Sequence, residues 1–158
     1  MKKLLILVAL IAMSAVAVNA QKRAIGGRLG YGADFSYQHN MGEKNMLELE
    51  VGLPGLGFGG IWGLQVAGTY DWIFPINGWE ESGNWNWYAG VGAGAGLYNK
   101  YFFAGLAGRI GIEYNFDFPL NVSLDWRPII GPTFGADHPF HNEGLFAGAI
   151  AWGIRYRF

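Results

Sequence analysis

Beyond residue 21 the chain carries few groups able to attack a substrate or bind a metal. Its serines are Ser36, Ser82 and Ser123, its histidines are His39, His138 and His141, and it has no cysteine. Acyl transfer or hydrolysis needs a hydroxyl or thiol beside a base, and that base beside an orienting carboxylate. Strand alternation turns Ser36 and Ser123 onto an inner face, and puts Ser82 in a turn at the opposite end from His138 and His141. No nucleophile and base come together, and no catalytic residue is assigned. The segment Asp137-His138-Pro139-Phe140-His141-Asn142-Glu143 carries two imidazoles three apart with flanking carboxylates, a donor set that suits zinc and similar ions. Spacing on a loop is weak evidence for a metal centre, and the segment is expected to be an ordinary solvated loop. No metal or cofactor is expected.

The charged residues are more informative through their arrangement. Arg28, Asp34, Glu48, Glu50, Asp71, Arg109, Glu113, Asp125, Arg127, Arg155 and Arg157 all fall on one parity of period-2 segments, whereas the other parity is apolar and aromatic. The last segment displays this most clearly: Phe146, Gly148, Ile150, Trp152, Ile154, Tyr156 and Phe158 alternate with Leu145, Ala147, Ala149, Ala151, Gly153, Arg155 and Arg157. Successive side chains of a strand point to opposite faces. Such a strand sits between an apolar medium and a polar interior, as in a transmembrane β-barrel.

The same test works along the whole chain. Leu47, Leu49, Val51 and Leu53 oppose Glu48 and Glu50; Trp62, Leu64, Val66, Tyr70 and Trp72 oppose Gln65, Thr69 and Asp71; Phe102, Leu106, Ile110 and Ile112 oppose Arg109 and Glu113. Turn signals divide the chain into eight expected strands: residues 24–31, 33–39, 45–53, 61–74, 85–97, 101–116, 120–134 and 145–158. Splitting the first two at Gly32 gives the even count with which single-chain bacterial barrels close. The fold expected is all-β, an eight-stranded antiparallel up-and-down transmembrane barrel. A soluble, lipocalin-like barrel would hold its apolar face inside around a ligand. Its exterior would then be the charged face; the reverse arrangement would leave a band of Leu, Ile and Trp in water.

Both ends of the chain agree with this. Lys2 and Lys3 precede an apolar run from Leu4 to Val18 and the small-residue pattern Val18-Asn19-Ala20, which reads as a cleaved secretory signal over residues 1–20. The run is too short to span a bilayer as a helix, which takes roughly 20 residues. Loss of the two lysines moves the formal charge from −1 to −3 and leaves residues 21–158 as one domain. A mildly acidic chain offers no electrostatic case for nucleic acid. Aromatics at 16% and 26 glycines suit a closed barrel with tight inner packing and an aromatic rim. Gly90, Gly92, Gly94 and Gly96 share the inner parity with Tyr88. They leave room for large inward side chains opposite, either Tyr88 or arginines from neighbouring strands.

The terminal Ile154, Tyr156 and Phe158 resemble the C-terminal strand by which the outer-membrane assembly machinery recognises its clients. Stretches such as Ile25-Gly26-Gly27-Arg28-Leu29-Gly30-Tyr31-Gly32, Asn86-Trp87-Tyr88-Ala89-Gly90-Val91-Gly92 and Leu120-Asn121-Val122-Ser123-Leu124-Asp125-Trp126-Arg127-Pro128 extend the likeness to nearly the whole mature chain. It resembles the small outer-membrane barrels of the OmpA-transmembrane and OmpX type, with shorter outer connections than OmpX. The resemblance implies outer-membrane location, outer-membrane lipid and the barrel assembly machinery as partners, and a structural or interaction role without catalysis. Trp62, Trp72, Trp85, Trp87, Trp126, Trp152 and Tyr156 are expected as membrane-facing anchors, with a periplasmic C-terminus and the 135–144 connection outside the cell. The lumen is expected to be plugged by its own salt bridges, since eight strands leave space only for side chains. Two alternatives stand beside this reading: a barrel enzyme acting on lipid A or phospholipid acyl chains, as some members of the class are, and a narrow pore.

Overall fold

A computed structural model describes residues 22–57, 59–79, 82–98, 101–135, 137, 139–141, 145 and 147–158. The expected signal segment, His138 and residues 142–144 lie outside the described residues. Period-2 alternation produces the strands β1 (Arg23–Leu29), β2 (Gly32–Asn40), β3 (Asn45–Pro54), β4 (Gly63–Pro75), β5 (Gly83–Tyr98), β6 (Tyr101–Phe116), β7 (Leu120–Trp126), β8 (Ile129–Phe134), β9 (Phe140–His141) and β10 (Ile150–Arg157). Each of β1 to β6 pairs antiparallel with the next, and β10 closes the ring against β1, from Ala24 opposite Arg157 to Leu29 opposite Trp152. The ten segments make eight barrel strands in up-and-down order. β7 continues into β8, and β9 with β10 forms the last strand.

The break between β7 and β8 is chemical. Pro128 has no N–H to donate to the ladder, yet its carbonyl accepts from Gly108 N–H at 3.1 Å. The pairing of β6 with β7 (Ile110 with Trp126) and with β8 (Leu106 with Ile130) keeps one register across the gap. The last strand departs further from expectation. Its ladder begins only at Ile150 against β7 and at Trp152 against β1, after a single 3₁₀ turn at Ala147–Ala149, and the short β9 pairs separately with β8 through Gly131 and His141. His141, expected in a solvated loop, is buried and stacks on Phe103 with ring centroids 3.8 Å apart.

The two faces sort as the alternation dictates. Outward, each strand of the ring carries exposed or half-buried apolar side chains, among them Leu29, Phe35, Val51, Val66, Val91, Leu106, Ile130 and Trp152. At outward strand positions the sole Asp, Glu, Lys or Arg among the described residues is Arg23, at the first residue of β1. Near the end that holds the β2–β3, β4–β5 and β6–β7 connections, outward aromatics make ring contacts with one another. Phe74 stacks on Trp87 at 4.3 Å; Trp85 meets Tyr114 at 4.8 Å, Tyr114 meets Phe116 at 4.6 Å, and Phe116 meets Phe118 at 4.9 Å. This is the turn end of the barrel. The mouth end carries the β1–β2 bend, the β3–β4 connection and β9.

Inside, the polar face is interrupted by two apolar clusters that the charge pattern alone does not announce. Ala67, Tyr98, Phe103, Ala107 and Ile129 pack near the mouth end, and Met46, Ile73 and Tyr88 lie nearer the turn end. Phe103 and Ile129 use the space left by the inner glycines of β5. A Cβ at Gly96 would come within 2.7 Å of the Phe103 ring, and one at Gly94 within 2.5 Å of Ile129 Cδ1. Tyr88 does not use that run: its ring lies over Gly111, where a Cβ would sit 2.6 Å from the phenolic oxygen.

Trp62 also departs from the anchor role expected of it. The ladder of β4 starts one residue later, at Gly63, so Trp62 is not bound to strand alternation. Its backbone N–H donates to Pro54 O at 2.9 Å, and its ring turns in against Tyr31 and Tyr98, with centroids 5.1 and 6.3 Å away. Gly55, at φ 82°, permits this fold-back, since a Cβ there would lie 2.5 Å from the indole.

Candidate functional site

Arg28, opposite Asp34 in the β1–β2 ladder, begins a network that crosses the lumen. Its guanidinium contacts Asp34 at 2.8 Å, Glu50 at 3.1 Å and, closer still, Asp125. Arg109 pairs with Glu48, with Asp71 at 3.0 Å and with Asp125 at 2.9 Å. Arg127 reaches Glu50 at 2.6 Å and Asp34 at 3.4 Å, and Arg155 reaches Glu48 at 2.6 Å. Four arginines thus interleave with five carboxylates, and Tyr88 joins by donating to Asp125 at 3.0 Å and accepting from Arg109 at 3.1 Å. All eight barrel strands contribute a side chain. The network therefore ties together residues that only the closed ring brings near one another.

Charges this deeply buried are tolerated only when paired and hydrogen-bonded. The pairing depends on a missing side chain. Gly90 stands between Asp71 and Arg109 in the ladder, as partner of both. A Cβ at Gly90 would fall 1.9 Å from Asp71 Oδ1, so the acid and the base meet across a position kept empty. Arg109 also lies 4.6 Å over the Tyr88 ring, a favourable place for a guanidinium on an aromatic face.

Polar residues that carry no charge complete the arrangement. Ser36 donates to Glu48 at 2.5 Å and accepts from Arg155 Nε at 2.7 Å, and Ser123 accepts from Arg155 at 2.8 Å. The two buried serines thus serve the ion pairs. Gln38 donates to Glu48 at 2.8 Å and Thr69 to Asp71 at 3.0 Å. Two residues of the expected lumen set sit apart from the arginine network, toward the turn end. Glu113 accepts from Asn86, Asn115 and Asn121 at 2.9 to 3.0 Å. Arg157 donates to the carbonyls of Phe116 and Phe118 and so holds the 117–119 turn against the C-terminal strand.

Cavities of about 310 and 590 Å³ open at the mouth end and the turn end. Glu48, Asp71, Tyr88, Arg109, Asp125 and Arg155 line neither of them, so the central layer separates the two. The expected outer anchors other than Trp62 face outward: Trp72, Trp87 and Trp152 are exposed, and Trp85, Trp126 and Tyr156 are half-buried. Ile154 is exposed beside them, while Phe158 pairs with Arg23 through both backbone groups, at 2.8 and 3.2 Å. The serine, glutamine, asparagine and tyrosine partners of the network share its parity, and that signal is sufficient to find them. Of the two imidazoles in the 137–143 segment, weighed as metal ligands and set aside, only His141 is among the described residues. Among the described residues, no three His, Cys, Asp or Glu side chains stand together as metal ligands should.

The site and the fold define a closed antiparallel β-barrel with an ion-paired interior and an apolar exterior. No protein-family model, curated protein or solved structure matches the chain.

Proposed function

We propose that this chain is an integral outer-membrane barrel of the OmpA-transmembrane and OmpX type, exported by a cleaved signal, with a structural or interaction role and a lumen closed by its own side chains. One observation carries the reading: a belt of exposed apolar residues encircles the barrel, while the charges of its described strands, Arg23 at the start of β1 apart, are turned inward. In water that belt is an aggregation liability; against acyl chains it is the required surface. Its height supports the same conclusion. The outward residues of β6 from Phe102 to Ile112 span ten residue steps, about 33 Å along a strand. A tilt of about 40° projects that to about 25 Å, the height of the apolar band in outer-membrane barrels.

The aromatic chain at the turn end then lies at one membrane interface, where Trp and Tyr collect, and the C-terminal strand enters the periplasmic side. The central ion-pair layer favours a plug over a pore. Cell fractionation tests the assignment. The protein is expected in the outer membrane, resistant to carbonate extraction, and to run faster on a denaturing gel unboiled than boiled. Recovery from the soluble periplasm would overturn it.

A further inference from the structure

The mouth cavity contains polar groups whose pairing is incomplete. Arg127 lines it with a side chain only 5% exposed. Its Nε lies 2.6 Å from Glu50 and its Nη2 3.4 Å from Asp34, yet among the described residues neither Nε nor Nη1 has a hydrogen-bond partner of good geometry. Beside it, among the described residues, Asp34 Oδ1 receives a single long contact of 3.4 Å from Gln65. A donor without an acceptor and an acceptor with spare capacity therefore stand next to each other, which costs free energy unless something joins them. Tyr31 and Tyr98 flank the same cavity, with the Trp62 ring between them.

The charge balance narrows what fits. At the mouth, Arg28 and Arg127 share Asp34 and Glu50, two cations against two carboxylates, so the site carries no net charge to draw in an anion. An incoming cation meets the guanidinium of Arg127 in the cavity wall. A neutral hydroxyl suits both partners, accepting from Arg127 Nη1 and donating to Asp34 through the same oxygen. Several hydroxyls on a ring with an apolar C–H face would use the planar polar groups and the aromatic wall together. At about 310 Å³ the cavity is at the lower end of small-molecule sites.

We propose that the mouth cavity is a binding site for a neutral, hydroxylated ring of monosaccharide size, held by Arg127 and Asp34 and flanked by Tyr31 and Tyr98. The ring is either a free sugar or the end unit of a longer glycan. The site stands independently of the membrane assignment, because it uses only inward-facing residues.

Saturation-transfer NMR on the refolded full chain, with glucose, galactose, N-acetylglucosamine and maltohexaose as probes, tests this. Benzoate and cyclohexylamine serve as the charged controls. At least one neutral sugar is expected to bind with a Kd of about 1 mM or tighter, and both charged probes at least tenfold more weakly. Equal binding of maltohexaose and glucose marks a chain end as the target, and binding of the monosaccharides alone marks a free sugar.

Two variants examine the location. Arg127→Lys removes the Nη1 donor while keeping the charge, and is expected to weaken binding at least tenfold. Gly148→Trp tests the site without touching the ion pairs. Gly148 lines the cavity, and a Cβ there meets nothing within 4 Å, so the indole can cover the entrance of a normally folded barrel. Loss of binding with an unchanged heat-dependent gel shift is expected. Absence of binding by every sugar in the folded wild type, unchanged binding in Gly148→Trp, or benzoate binding more tightly than every sugar would each overturn the proposal.

Discussion

Replacing Arg109 with methionine exposes how the lumen is held, because its three carboxylate partners are not left equally stranded. Glu48 keeps Arg155 at 2.6 Å together with Ser36 and Gln38. Asp125 keeps Arg28 and the Tyr88 hydroxyl. Asp71 keeps only Thr69 at 3.0 Å, and its Oδ1 already has no partner. The variant therefore creates one uncompensated buried carboxylate, which costs about 3 to 5 kcal/mol. Methionine fills much of the volume of the lost side chain, so packing adds little. Urea unfolding of the barrel refolded in lipid vesicles, followed by tryptophan fluorescence, measures the loss. Adding Asp71→Asn to Arg109→Met is expected to restore about 2 kcal/mol or more, and Glu48→Gln less, which a double-mutant cycle resolves. A cost under about 1 kcal/mol for Arg109→Met, or a better rescue by Glu48→Gln, would refute the reasoning.

Gly94→Phe forces a ring into the space taken by Ile129 and is expected to cost about 1 to 3 kcal/mol through overpacking. Gly108→Ala, where a Cβ meets nothing within 4 Å, is expected to stay within about 0.5 kcal/mol; equal effects in urea unfolding would contradict the parity assigned to β5. Ile110→Arg, midway along an outward row, is expected to lower stability in vesicles by about 2 to 4 kcal/mol, and Asn45→Arg, at a strand end, by about 0 to 1 kcal/mol. No penalty for Ile110→Arg would contradict a lipid-facing belt.

The fold is legible because the signal that sets it is local. Glu48 and Glu50 between Leu47, Leu49 and Val51 assign both faces of β3 without reference to any other strand. The division at Gly32 follows from strand count, and the structure has β2 begin there. What the alternation misses is whatever leaves the ladder or depends on closure. Trp62 lies one residue outside β4, so its parity carries no information. His141 is drawn inward by Phe103, a residue thirty-eight positions earlier in the chain. The partners within the lumen are a property of the closed ring: Arg28 and Asp125 are 97 residues apart, and no spacing rule joins them. That Phe103 and Ile129, and not Tyr88, occupy the room beside the β5 glycines depends equally on how far each strand is staggered.

The membrane-facing belt is the central claim, and the absence of cysteine from the chain makes it directly measurable with single labels. A nitroxide attached at Leu106→Cys, where the native side chain is 76% exposed, can be compared in lipid vesicles with one at Gly148→Cys on the mouth turn. Power-saturation EPR is expected to find position 106 accessible to dissolved oxygen and shielded from a water-soluble nickel chelate, with the reverse at 148. Accessibility of position 106 to the chelate, equal to that at 148, would mean that the belt faces water and would contradict the account.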